Sequence, residues 1–147
     1  MRNLLRICAF ALVLVILVSA VAFAAPDSLP LGVKGNTSGL LNVTNPASAV
    51  ISSYNKQHNI SGYAARGANV AVYIASGGRY VLMKRNGYPV SCYVGASGMF
   101  VQPVTLSQGR SDLLVRAELN GQVQCIKRTV TVLSINFLNL LKGFSLY

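Results

Sequence analysis

Acidic and catalytic side chains are scarce in this chain. Its 147 residues include 3 Asp and Glu together, 1 His, 3 Cys and no Trp. An enzyme needs a nucleophile with its base, a metal set or a cofactor cradle, and each draws on residue types that are nearly missing here. Asp112 and Glu118 lie on one apparent strand, where strand rise would set their Cα atoms about 20 Å apart. That is too far for a cooperating carboxylate pair. His58, in "YNKQHNISG", has no second histidine to help build a four-ligand zinc set and reads as a solvated loop residue. The glycine pairs form neither GxGxxG nor a P-loop. The expectation is a protein with no catalytic site, no cofactor and no metal.

What the chain has is positive charge and an apolar start. Lys and Arg number 13, giving a formal charge of +10. "MRNLLR" places Arg2 and Arg6 before an apolar run, Ile7 to Ala25, broken only by Ser19. That order of charge, apolar core and small residues is the pattern of a secretory signal, and Ala22-Phe23-Ala24 supplies the small residues read by a signal peptidase. Residues 1–24 are therefore expected to be a signal helix, cleaved after Ala24. The rival is an uncleaved anchor, since the run is just long enough to cross a bilayer. Cys8 lies at the start of the run rather than after it and so does not occupy a lipidation position. Removal of Arg2 and Arg6 leaves 11 basic residues against 3 acidic ones, about +8, and this favours an anionic partner. No helix-turn-helix, zinc-finger or RNA-binding signature accompanies the charge, so nucleic acid is not expected.

The stretch 25–41, rich in Pro, Gly, Ser and Asn, reads as a flexible leader. From there the period is two. In "NVAVYIA", Val70, Val72 and Ile74 share one parity, as half-buried strands require. "RYVLMKR", "VSCYVG" and "MFVQPVTL" follow, the first two separated by the turn-like "NGYP"; Pro103 suits an edge or a bulge. In "DLLVRAEL", Leu113, Val115, Ala117 and Leu119 point one way and Leu114, Arg116 and Glu118 the other. Asn120-Gly121 is a strong signal for a type I′ hairpin, with "QVQCIKRTVTVL" returning beside it. The core is expected from Val70, Val72, Ile74, Phe100, Val104, Leu106, Leu113, Val115, Ala117 and Leu119.

"ISGYAARGANVAVYI" together with "GASGMFVQPVTLSQGRSDLLVRAELNGQVQCIKRTVTV" resembles the bacterial Ig-like domain family of secreted and surface proteins. The matching positions are Gly62, Gly67, Gly98, Phe100, Leu106, Gly109 and Gly121, over Ile60 to Val132. The resemblance implies an all-β, Ig-like β-sandwich of about seven strands, here over residues 42–133. The loop between Ala75 and Val90 is longer and more basic than in that family, and the acidic residues some members use for calcium are absent.

Two cysteines remain after export, Cys92 and Cys125. In an oxidising compartment they form a candidate disulfide, with two separate thiols as the alternative. A two-residue turn at Asn120-Gly121 sets Cys125 opposite Arg116, on the outer face. Asn36-Thr37-Ser38, Asn42-Val43-Thr44 and Asn59-Ile60-Ser61 match the glycosylation pattern, and read as chance matches in Asn- and Ser-rich sequence. The cations group as Arg79, Lys84 and Arg85 around the long loop, and as Arg116, Lys127 and Arg128 on the last hairpin. Together they form a candidate anion-binding face, with solvated strand edges as the alternative. The segment 134–147 repeats Phe137, Leu140, Leu141 and Phe144 at helical spacing and reads as an amphipathic tail. The sum is a non-catalytic module, secreted or held at the cell envelope, with a structural or binding role. Its expected partner is an anionic cell-wall polymer or another envelope protein; a membrane enters only if segment 7–25 is retained. The alternative is a membrane-anchored subunit of an envelope assembly whose tail docks a protein partner.

Overall fold

The structure, a computed structural model, describes residues 25–134. The expected signal segment and residues 135–147 of the expected tail lie outside the described residues. Every regular element is a strand: β1 (Ser28–Pro30), β2 (Leu41–Asn45), β3 (Val50–Ser53), β4 (Gln57–Ala64), β5 (Asn69–Ser76), β6 (Arg79–Leu82), β7 (Lys84–Arg85), β8 (Tyr88–Pro89), β9 (Ser91–Tyr93), β10 (Met99–Thr105), β11 (Gly109–Leu119) and β12 (Gln122–Val132). The described residues are all-β, as the period of two requires. The strands of the described residues exceed the expected seven in part because β1, in the expected leader, and the two-residue β7 and β8 are too short to show a period.

The larger sheet runs β1-β6-β5-β11-β12-β3, with β9 also on β5. Strands β6 and β9 share one edge of β5, at Tyr73–Ser76 and at Asn69–Ala71. All its pairings are antiparallel except that of β3 with β12. The smaller sheet is β10-β4-β2, also antiparallel. Pro103 lies on β10, an edge strand of that sheet, where its missing N–H costs no ladder bond. At the β11–β12 turn, Asn120 and Gly121 have φ of 50° and 78°, the left-handed values of a type I′ turn. That turn sets the register Leu119↔Gln122 and Arg116↔Cys125, as the sequence predicts.

The two sheets pack face to face, an arrangement consistent with a β-sandwich. Val43, Ile60, Phe100 and Val104 of the smaller sheet share one buried cluster with Val70, Val72, Leu113, Val115, Ala117 and Val130 of the larger. Each Val, Ile, Leu or Phe among them, fully buried, contributes roughly 1.5–3 kcal/mol by transfer from water. Of the expected core, Ile74 and Leu119 sit at the margin, packed but only partly buried.

The larger sheet is buried on its other face as well, which alternation alone did not suggest. Ala71, Tyr73, Tyr80, Leu82 and Leu114 form a second cluster there, and Ala25, Leu29 and Val33 pack onto it. The stretch 25–41, expected to be a flexible leader, is instead a strap across this face. It begins as β1 on the edge strand β6, with the Leu82 N–H donating to the Asp27 carbonyl at 2.9 Å. It ends over β12. There the Asn36 and Thr37 N–H groups donate to the Val123 carbonyl, at 2.8 and 3.2 Å. The Asn36 side chain accepts from the Val123 N–H at 2.7 Å and donates to the Gly121 carbonyl at 3.1 Å. Gly35 permits this approach: a Cβ there would lie 2.5 Å from the Val123 oxygen and 2.8 Å from Gln124 Cα. Leu40 and Leu41, which close the same stretch, are buried in the core between the sheets.

Candidate functional site

The six candidate cations do not form one face. Three have structural work. Arg128 reaches toward the smaller sheet: its Nε donates to the Pro46 carbonyl at 2.9 Å and an Nη to the Val43 carbonyl at 3.0 Å. Another Nη donates to the Lys127 carbonyl at 2.9 Å. The guanidinium thus ties β12 to β2 across the sandwich, and burial lowers its pKa from the ordinary arginine value. Arg116 lies on the opposite face of the larger sheet and pairs with Glu118 at 2.6 Å, its side chain 11% exposed. Lys127 is exposed, but its Nζ lies 5.9 Å from the Tyr80 ring centroid and donates weakly to the Leu31 carbonyl of the strap, at 3.4 Å.

The other three are exposed: Arg79 lies at the Ser76 end of β6, while Lys84 and Arg85 sit together beyond its Leu82 end and are the centre of the candidate site. Arg79 opens β6, next to the Gly77-Gly78 turn, and is exposed. Lys84 and Arg85 lie on a small arm, the β7–β8 hairpin, closed by Asn86 and Gly87 at φ of 52° and 83°. The arm springs from the edge of β5. Met83 N–H donates to the Val72 carbonyl, Val72 N–H to the Val90 carbonyl, and Val90 N–H to the Met83 carbonyl, all within 3.0 Å. This triangle fixes the root while every residue of the two short strands stays exposed. Tyr88 is paired in register with Arg85 and is 77% exposed. Tyr93, on the neighbouring β9, is 75% exposed. Among the described residues, Arg79, Lys84 and Arg85 have no carboxylate partner. Cations beside an exposed aromatic ring can hold an anion by charge and cover an apolar part of it with the ring. Tyr88 escaped sequence reasoning because "NGYP" reads as a turn, which leaves its presentation unspecified.

The two cysteines are free, and the topology explains why the candidate disulfide does not form. Cys92 pairs with Val70 and packs on the core between the sheets. Cys125 pairs with Arg116 and packs on the opposite face. Between β9 and β12 stand β5 and β11, so the two lie about 14 Å apart at ordinary strand spacing, beyond the 7 Å limit for bridging. Burial pushes the Cys125 thiol up, opposed by Arg116 and Lys127, so it is a weak nucleophile.

Asp112 and His58 have structural partners. Asp112 accepts from Thr129 Oγ1 at 2.7 Å and from Arg110 at 3.0 Å; these hydrogen bonds hold its carboxyl below the usual range. His58, expected in a loop, lies on β4 with Nε2 2.8 Å from the Asn55 carbonyl oxygen, so it fastens the preceding turn. Of the three glycosylation-pattern asparagines, Asn36 is engaged by the last hairpin, while Asn42 and Asn59 are exposed on the smaller sheet. Tyr73 is a different case. It is fully buried, its hydroxyl has no hydrogen-bond partner among the described residues, and burial raises its pKa to about 12.

Among the described residues, no group of three or more His, Cys, Asp and Glu is placed to hold a metal ion, and no helix is long and apolar enough to cross a membrane. No family model matches the chain, and no curated protein matches it.

Proposed function

We propose that this chain is an exported, non-catalytic Ig-like β-sandwich module of the bacterial cell envelope, which contacts an anionic wall polymer through the edge carrying Arg79, Lys84 and Arg85. The observation that carries the reading is the β7–β8 arm. It is rooted in the sheet by three backbone hydrogen bonds and presents two unpaired cations and an exposed Tyr88. A hairpin that buries nothing adds little to stability; presenting side chains gives it a use. Arg116 and Arg128 are committed to the fold and are withdrawn from the contact. The exported part, with 11 basic residues against 3 acidic ones, about +8, draws a polyanion from a distance, and salt weakens that draw. Titrating residues 25–147 with teichoic acid at low and high salt tests the reading: binding that weakens with salt supports it, and no binding at either salt overturns it.

A second reading has its own supporting observation. The chain enters the domain beside the arm, because the Asp27 carbonyl bonds to the Leu82 N–H, two residues before Lys84. If segment 7–25 stays in the membrane, the domain is an anchored subunit with the arm close to the bilayer surface. The intact mass of the native protein separates the two readings: a chain starting at Ala25 supports export and release, and one retaining residues 1–24 supports the anchor.

A further inference from the structure

We infer that the cluster of Tyr73, Arg116 and Glu118 on the outer face of the larger sheet is a receptor for the chain's own α-ammonium group, released at Ala25 by signal cleavage. The inference rests on the export reading with cleavage after Ala24. Four observations lead to it. The Tyr73 hydroxyl is fully buried without a hydrogen-bond partner among the described residues, and buried hydroxyls that stay unpaired are rare and costly. Ala25 packs on the buried cluster that includes Tyr73, which brings the start of the mature chain onto this face. Glu118 and Asp27 both act electrostatically on the phenol, and Glu118 is already paired with the little-exposed Arg116. Arg116, Glu118 and Asp27 together carry one negative charge in excess, which a single ammonium balances.

Cleavage makes that ammonium. Water adds across the Ala24–Ala25 peptide bond, the C–N bond breaks, Ala24 keeps the carboxylate, and the Ala25 nitrogen takes up protons to become –NH3+. This ion offers three donors where the uncleaved amide offers one. Tyr73 Oη accepts one and the acidic side chains accept others. The strap that follows, anchored through Leu82 and Val123, is then pinned at its first residue as well. Maturation in this way tightens the cover over the outer face. The other titratable groups around the cluster are Cys125 and Lys127 on β12 and Tyr80 on β6. Lys127 is engaged by Tyr80 and Leu31.

The test compares residues 25–147 with a free Ala25 amine against the same chain carrying Gly-Ser ahead of Ala25, each with Tyr73 and with Tyr73→Phe. With Tyr73 present the native start should be about tenfold more stable in its unfolding equilibrium at pH 6.5, a Tm gain of about 5 °C. Docking raises the amine's pKa above its ordinary value of about 7.7–8, so the gain is full below that value. It is lost as pH rises through the folded pKa, and should vanish by about pH 10.5. Tyr73→Phe should remove at least half of it wherever it is present, the remainder being the share of the carboxylates. Equal stability of the two starts, or a difference that Tyr73→Phe leaves undiminished, overturns the inference. A native chain that does not begin at Ala25 also overturns it and takes the export reading's cleavage position with it; an Ala25 start without the stability effect removes the receptor alone.

Discussion

Arg128→Ala separates a cation of the fold from a cation of the binding edge. In the wild type its guanidinium donates to the Pro46 and Val43 carbonyls at 2.9 and 3.0 Å, both in partly buried surroundings. Hydrogen bonds from a charged donor contribute roughly 1.5–3 kcal/mol each. Water can reach the half-buried carbonyls once the side chain is gone, so the lower end applies and the pair amounts to about 3 kcal/mol. The third bond, to the exposed carbonyl of neighbouring Lys127, adds little. For a domain of this size the loss corresponds to a fall in Tm of roughly 10–15 °C. Arg128→Lys should recover only part of it, because one ammonium cannot span two carbonyls as a planar fork does. Thermal unfolding followed by circular dichroism gives the Tm, and teichoic acid titration of the still-folded variant gives the affinity. The reasoning requires a large stability loss with affinity close to wild type. A variant with unchanged Tm and lost binding would refute it and return Arg128 to the anion site.

Other expectations follow from the same geometry. Leu114→Ala, on the face beneath the strap, should cost about 2–5 kcal/mol, as much as Leu113→Ala on the inner face; denaturant titration measures both, and a cost under 1 kcal/mol at Leu114 would mean the strap does not seal that face. Asp112 has a folded pKa below its ordinary value, so its contribution to stability is present above about pH 4 and is lost as pH falls through the lower folded pKa. Asp112→Asn should therefore lower Tm at pH 7, and lower it progressively less as the pH falls through that depressed pKa; a loss that stays the same down to the acid end would remove the ionic explanation. Unfolding in denaturant without reductant should expose two alkylatable thiols, Cys92 and Cys125, whereas no labelling before reduction would mean a disulfide.

Much of the fold is legible in the sequence because strands announce themselves locally. Parity in "NVAVYIA" and "MFVQPVTL" places Val70, Val72, Phe100 and Val104 inward, and Asn120-Gly121 fixes the register of the last hairpin, including Cys125 opposite Arg116. The strap is not legible. Its composition is that of a loop, and its anchors are distant in sequence: Asn36 holds Val123 from 87 positions away. One sign was present, since "LLV" at Leu113 to Val115 is a continuous apolar run, which can mark a strand buried on both faces. Alternation in the surrounding residues masked it. In the candidate site, the arm cations could be read from their clustering. The commitment of Arg128 could not, because its acceptors are backbone carbonyls, which every residue has.

The most direct test of the central claim is charge reversal on the arm. Binding of teichoic acid to residues 25–147 at low salt is measured for the wild type and for the double variant Lys84→Glu, Arg85→Glu, with Tm recorded alongside. Both side chains are exposed and the arm covers no core, so Tm should stay within about 2 °C, as for surface substitutions generally. Affinity should fall at least tenfold. Unchanged affinity with unchanged Tm would contradict the account, since the arm would then be exposed without being used.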